Sequence, residues 1–456
     1  MKKNNSKFHF LHKRTPVQLL LLFYFTAVIV SALLLSLPIS QKEGVQIPAI
    51  DVLFTAVSAI SVTGLSTISI TDSLSPFGIL MLMIMMQLGA VGIMAIGTFI
   101  WLMLRKKIGL KERQLIMADQ NQTNYSGGVR LIKEIIYILL IVELAGFMIL
   151  GTYFLNYYET AKEAYFYGLF ATITAITNAG FDITGNSFML FKNDYFVQLI
   201  TILLIIFGAI GFPVWLEVKE YFTSKWKHNR QYGFRFSLFT KLTSVTFLFL
   251  IIIGTVGIFL LDMNHFFAGR PWHETLFYAL FQSVTTRSAG LSTLNINQLT
   301  EENLFFMAAL MFIGASPSSA GGGIRTTTFA LVIIFIITFA RGGKNIRIFQ
   351  REVYEEDLIK AVTVTLVSFF ILFFATLTIS VMEPYSFPTI MFEVMSAFGT
   401  VGLSLGITAE LSVFSKIILM ILMFVGRVGI ITFLLLFHKR KAEPNFHYPK
   451  ERIIIG

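Results

Sequence analysis

Long apolar runs alternate with short polar segments along the whole chain. Runs of spanning length occupy 17–38, 77–104, 131–155, 196–216, 238–261, 304–338, 358–382 and 411–437. A helix rises about 1.5 Å per residue, so a hydrocarbon core of about 30 Å takes about 20 apolar residues. Eight such spans put both termini on one side. Between the paired spans lie apolar stretches of about three helical turns, too short to cross, with Phe54, Phe170, Phe281 and Phe392 near their starts. These predict re-entrant helices.

The segments after the short stretches align without gaps on one glycine. They read Ala59-Ile-Ser-Val-Thr-Gly-Leu-Ser66, Ala175-Ile-Thr-Asn-Ala-Gly-Phe-Asp182, Thr285-Thr-Arg-Ser-Ala-Gly-Leu-Ser292 and Ala397-Phe-Gly-Thr-Val-Gly-Leu-Ser404. The shared glycines, Gly64, Gly180, Gly290 and Gly402, recur at intervals of 110–116 residues. A second element follows each: Gly89-Ala-Val-Gly92, Gly208-Ala-Ile-Gly211, Gly314-Ala-Ser-Pro317 and Gly426-Arg-Val-Gly429. Two elements in one order at a near-fixed pitch mark an internal fourfold repeat. The predicted fold is an all-α membrane protein. Its eight transmembrane helices form four parallel M1-P-M2 repeats (outer helix, pore helix, inner helix), with re-entrant pore loops around one central pore.

The expected organisation is a basic N-terminus 1–16, repeat 1 over 17–110, a linker 111–130, repeat 2 over 131–225 and a linker 226–237. Repeat 3 covers 238–340, with a broken inner helix and a loop at 314–325. A linker 341–357, repeat 4 over 358–440 and a tail 441–456 complete the chain.

Composition agrees, with 55% hydrophobic and 14% charged residues. The net charge of +10 suggests nucleic acid only until its distribution is read. Of 36 Lys and Arg, 28 fall in 1–16, 105–133, 219–241, 341–360 and 439–452, all on one face of the predicted topology. The positive-inside rule makes these segments and both termini cytoplasmic, so no nucleic acid partner is expected. The basic N-terminus leads into a run long enough to span, with no small-residue cleavage site, and is expected to be retained. With no cysteine there is no disulfide and no thiolate metal site.

Re-entrant backbone at membrane depth leaves N–H and C=O groups that only protein or a wet cavity can satisfy. Four loops about an axis can present rings of carbonyl oxygens that replace the water shell of a cation. Glycine suits such loops because consecutive carbonyls point the same way only with left-handed dihedrals, which a Cβ penalises. Pore-helix C-termini aimed at the site would add negative potential.

Val-Thr-Gly-Leu, Asn-Ala-Gly-Phe-Asp, Ser-Ala-Gly-Leu-Ser and Thr-Val-Gly-Leu-Ser, in that order, resemble the four filters of the Trk/Ktr/HKT superfamily of potassium transporters. The likeness spans roughly residues 15–440 and is greatest to the membrane subunit of bacterial Ktr systems. It implies potassium as permeant ion at Val62, Thr63, Gly64, Asn178, Ala179, Gly180, Ser288, Ala289, Gly290, Thr400, Val401 and Gly402, with no tightly bound cofactor. Glycine in all four loops implies potassium selectivity. Serine in the first loop is associated with sodium, and this chain has Gly64 there. The resemblance further implies a homodimer in the cell membrane and a cytosolic ring of nucleotide-binding regulatory subunits of RCK type. The chain itself carries neither GxGxxG nor GxxxxGK[ST], so nucleotide control would come from that partner.

In 304–338, the run Ala315-Ser-Pro-Ser-Ser-Ala-Gly-Gly-Gly-Ile-Arg325 breaks any helix. In the family this position is an intramembrane gating loop, which assigns Ser316, Pro317, Gly321, Gly322 and Gly323 to gating. Arg427 takes the place of Ala90, Ala209 and Ala315 in an inner span. A charge at a helix centre costs at least about 2.5–3.5 kcal/mol, so a function is expected. It matches the family's basic residue in the last inner helix, which in the family can pair with the gating loop or repel cations electrostatically. Arg287 is expected to bond pore-loop carbonyls and Glu143 to pair with a neighbouring helix. Asp262, His265, His273 and Glu274 are expected at a solvated surface. The segment 219–241 is expected to dock a cytosolic partner or anchor to lipid headgroups.

Three other readings fit the sequence less well. A sodium-permeable or sodium-coupled transporter of the same fold is the nearest alternative. A secondary transporter of organic solutes with inverted repeats conflicts with four parallel units. A membrane enzyme lacks any acid/base constellation.

Overall fold

The computed structural model describes residues 16–92, 128–226, 234–343 and 345–435, with 449 and 451. The expected N-terminus up to residue 15, the second half of the span 77–104, most of the linker 111–130, residues 227–233 and nearly all of the tail lie outside the described residues.

Each quarter begins with a long helix, followed by a short one, a loop and a second apolar helix. The first quarter has α1 (Pro16–Ser36), α2 (Ala49–Ile60) and α3 (Pro76–Val91). The second has α4 (Gly128–Phe154), α5 (Ala161–Thr177), α6 (Tyr195–Ala209) and α7 (Phe212–Trp226). The third has α8 (Leu238–Asp262), α9 (Trp272–Thr285), α10 (Glu301–Phe312) and α11 (Thr326–Ala340). A hairpin of β1 (Arg347–Ile348) and β2 (Arg351–Glu352) leads to the fourth quarter. That quarter has α12 (Glu355–Met382), α13 (Phe387–Gly399), α14 (Val413–Val428) and α15 (Ile430–Leu435). Among the described residues, α1, α4, α8 and α12 are long and apolar enough to cross a membrane singly. The molecule is a helical, multi-pass membrane protein.

Caps written in the sequence start several helices. Ser75 precedes Pro76 and accepts from the Gly78 N–H, Ser412 accepts from Ser415, and Asp194 accepts from Phe196 and Val197. The packing then closes a ring. Each long helix lies along the short helix of its own quarter, α1 on α2, α4 on α5, α8 on α9 and α12 on α13. Each helix after the loop packs on the short helix of the next quarter: α3 on α5, α6 on α9, α10 on α13, and α14 back on α2. Phe54, Phe170, Phe281 and Phe392 are all buried in these contacts.

The spans expected over 196–216 and 411–437 as single helices are broken. α6 and α7 bend by 101°, and α14 ends at Val428, with Gly429 as its cap. Gly211, at φ +102°, supplies the turn, and the Phe212 N–H beyond it bonds Ser318 O at 2.9 Å instead of continuing a helix. Glycine in an apolar run reads equally as a packing residue, which hid these breaks.

Candidate functional site

The four loop glycines meet. A Cβ on Gly64 would run into the Ala179 carbonyl. One on Gly180 would lie 2.9 Å from Ala289 O and 3.1 Å from Gly290 Cα, one on Gly290 3.1 Å from Gly402 Cα, and one on Gly402 3.1 Å from Gly64 Cα. Each loop alternates handedness: φ is positive at Val62 and Gly64, Asn178 and Gly180, Ser288 and Gly290, Thr400 and Gly402, but not at the residue between. Left-handed Val62 and Thr400 are β-branched, an arrangement that costs of order 1–3 kcal/mol and persists only where its surroundings impose it. Alternation of this kind turns successive carbonyls to one side.

The amides are drawn the other way. Thr63 N bonds Ser58 O at 2.8 Å, Ala179 N bonds Thr174 O at 2.9 Å, Ala289 N bonds Thr285 O at 2.9 Å and Val401 N bonds Ser396 O at 2.9 Å. The carbonyls of these same four residues are buried and accept no hydrogen bond from any described residue. Buried orphan acceptors of this kind are rare in native folds and call for a ligand. The C-terminal ends of α2, α5, α9 and α13 stop at the ring, adding their partial negative charge.

Hydroxyls fix the loops, and sequence reading missed them. Ser58 Oγ accepts the Gly64 N–H at 3.0 Å, and Ser396 Oγ the Gly402 N–H at 3.1 Å. Thr174 and Thr285 donate to the carbonyls just past their glycines, Phe181 O at 3.0 Å and Leu291 O at 2.6 Å. The signal was present in the alignment, since Ser58, Thr174 and Ser396 each stand six positions before the loop glycine.

The first glycine of the second repeated element lets a helix approach these loops. A Cβ on Gly89 would strike Ile60 O, on Gly208 Ile176 O, and on Gly426 Phe398 O, each at the end of a short helix. In the third quarter the chain from 313 to 325 leaves the helix and lies beneath the ring. Ser316 N bonds Ala209 O and Ala320 N bonds Gly208 O, each at 3.0 Å, and Pro317 O faces Gly211. Gly321 and Gly322 lie against the side chains of Ser288 and Thr400, and Gly323 against Gly314 and Gly399. Two guanidinium groups hold the loop: Arg325 donates to Ser316 O (3.3 Å) and Gly321 O, Arg427 to Ser319 O (3.3 Å), Ala320 O and Gly321 O (3.3 Å). Arg427 also donates to Gly89 O and to Ala90 O (3.1 Å) at the end of α3.

Other charged groups differ in part from expectation. Arg287 is fully buried but bonds Leu310 O and Ile313 O, both at 2.7 Å, and not pore-loop carbonyls. α10 stops at Phe312, so its last carbonyls have no helical partner, and Arg287 supplies one. Glu143 on α4 accepts from Gln87 on α3. Asp262, expected at the surface, is fully buried and accepts from Thr300 N (3.2 Å) and Asn303. Glu274 pairs with Arg270 at 2.7 Å, and His273 meets the Tyr195 hydroxyl at 2.7 Å. Neither the bonding of buried Glu393 nor the pairing of buried Lys416 with Asp51 is expected from the sequence. Glu393 on α13 accepts from Ser404 Oγ (2.6 Å), Leu405 N (2.9 Å) and Thr408 Oγ1 (2.9 Å), which pins the chain rising from the fourth loop. Lys416 on α14 pairs with Asp51 on α2 at 2.8 Å.

Comparison with known proteins identifies the family. A family model described as TrkH, cation transport protein, matches residues 5–448. The chain is 55% identical to the Ktr system potassium uptake protein D of Bacillus subtilis, over 97% of each chain. It is 36% identical to the Ktr system potassium uptake protein B of the same organism, again over 97% of each. Its fold superposes on the crystal structure of the potassium transporter TrkH from Vibrio parahaemolyticus with a TM-score of 0.72 at 18% identity, covering 93% of this chain and 86% of that one. Sequence and architecture together place this chain in the TrkH family of cation transport proteins.

Proposed function

We propose that the chain takes up potassium across the cell membrane through a ring of backbone carbonyls. The observation that carries this reading is the set of four buried carbonyls, at Thr63, Ala179, Ala289 and Val401, that converge beside four glycines and lack protein donors. The ion is held by the loops around Val62–Gly64, Asn178–Gly180, Ser288–Gly290 and Thr400–Gly402, with oxygens in place of its hydration shell. The four quarters act as M1-P-M2 units around one pore, crossing the membrane eight times with both termini in the cytoplasm.

Below the ring, loop 314–325 blocks the way out and Arg427 holds it there, adding a positive charge to the path. Release of the loop opens the pore. The strong likeness to Ktr subunits supports a homodimer whose cytoplasmic face meets a separate nucleotide-binding subunit that controls this release. Purified protein in vesicles tests the function: potassium uptake that a tenfold excess of sodium does not suppress is expected. Uptake of sodium in preference would replace this reading with the sodium transporter of the same fold, and impermeability to both would remove it.

A further inference from the structure

Ser288 stands at a junction that links the ring and the loop beneath it. Its backbone belongs to the third loop, two residues before Gly290, and its side chain is fully buried. Its Oγ lies 2.7 Å from Thr400 O, 3.0 Å from Thr400 Oγ1 and 3.1 Å from Gly399 O, and accepts the Gly322 N–H at 3.2 Å. One hydroxyl thus ties the third loop to the fourth and hangs loop 314–325 from both. The corresponding residues are Val62, Asn178 and Thr400, so only the third and fourth loops carry hydroxyls at this position. The contact is tight: a Cβ would sit 2.5 Å from Ser288 Oγ if placed on Gly321, and 2.6 Å from Thr400 Oγ1 if placed on Gly322. Both glycines are therefore required by the underside of the filter.

A serine hydroxyl has one proton to donate and two lone pairs to accept with. With the Gly322 N–H bonded to one lone pair, the proton is left for the Thr400 carbonyl, and the amide polarises the O–H toward it. A carbonyl that already accepts a hydrogen bond is a weaker ligand for a cation. We propose that Ser288 is a positioning residue that couples loop 314–325 to the potassium affinity of the filter. When the loop is docked, Ser288 occupies the Thr400 carbonyl. When the loop leaves, the amide goes with it, the hydroxyl turns away, and the carbonyl joins the ion's ligand set. Potassium then binds more tightly to the undocked form, and by linkage an occupied filter favours release of the loop by the same factor. This rests on the filter-and-gate reading above.

The test compares wild type, a deletion of 320–323, Ser288→Ala and their combination. Potassium is titrated against sodium at constant ionic strength, and affinity is read from thermal stabilisation of the purified full-length protein. Deleting the loop is expected to tighten potassium binding roughly fivefold in the wild-type background, the effect of about one net hydrogen bond. In Ser288→Ala, which should itself bind more tightly, the deletion should change affinity less than about twofold. If Ser288→Ala does not fold, Ser288→Cys, whose thiol is a weak donor and acceptor, takes its place. An equal effect of the deletion in both backgrounds, with potassium uptake intact, overturns the coupling alone. Absence of potassium-dependent stabilisation and uptake in wild type overturns the filter itself, and the coupling with it.

Discussion

Arg427 donates a hydrogen bond to the carbonyl of Ala90, 3.1 Å away on a helix from the opposite end of the chain. Because α3 ends at Val91, that carbonyl has no helical donor of its own. The same guanidinium reaches Ser319, Ala320 and Gly321 in the loop beneath the ring. Arg427→Ala is expected to free the loop, remove a positive charge from the path and raise uptake per folded molecule. Arg427→Lys should be intermediate, since an ammonium cannot engage both sets of carbonyls with a planar fork. Uptake normalised to monodisperse protein decides; an order with alanine slowest would make Arg427 a structural cap only.

Gly64→Ser is expected to lower preference for potassium over sodium while sodium still permeates. Gly64 has φ +90°, and its Cβ would meet the Ala179 carbonyl, so the side chain displaces one acceptor of the ring. Competitive uptake of the two ions into vesicles measures it. Unchanged selectivity in folded protein would remove Gly64 from the site.

The glycines at the ring were legible because positive φ with a neighbouring backbone where a Cβ would stand admits only glycine, and the fourfold repeat showed it four times. The loop at 314–325 was legible for a similar reason, proline and three glycines in a span. What the side chains bond was not. Arg287 stands beside the third loop in sequence, yet its partners lie at the end of α10, a helix end that exists only once the inner helix has broken. Asp51 and Lys416 face each other across the closure of the ring, and nothing local to either residue announces the other. Ser58 and Ser396 in an apolar helix read as neutral substitutions until the turn that needs their oxygens is known.

Arg287→Met is expected to destabilise the protein. It strands the carbonyls of Leu310 and Ile313, each at about 1–3 kcal/mol. Relief of a buried charge offsets part of this. Arg287→Lys, able to serve one acceptor well, should fall between. Thermal melting in detergent should give the order wild type, lysine, methionine from most to least stable; a methionine variant as stable as wild type would mean that the cap contributes nothing net.

For the buried pair, Asp51→Asn and Lys416→Met alone are each expected to cost about 3–5 kcal/mol, because each leaves an unpaired buried charge. The double change should recover most of that loss. The pair joins the first turn of α2 to the first turn of α14, so it fastens the fourth quarter to the first. A thermal-stability cycle over the four proteins measures the coupling. Additive losses would show that the two charges act independently.

Val62, Asn178, Ser288 and Thr400 fill the same left-handed position in four different ways. In a pore assembled from four copies of one subunit, a mutation there is written four times around the axis and is tolerated or rejected as a set. Here it is written once. In the filter proposed above, selection can therefore alter one quadrant while three keep the ion, and a loss in one quadrant can be repaired in another. A single gene with four unlike quadrants turns an all-or-none step in ion preference into a graded one.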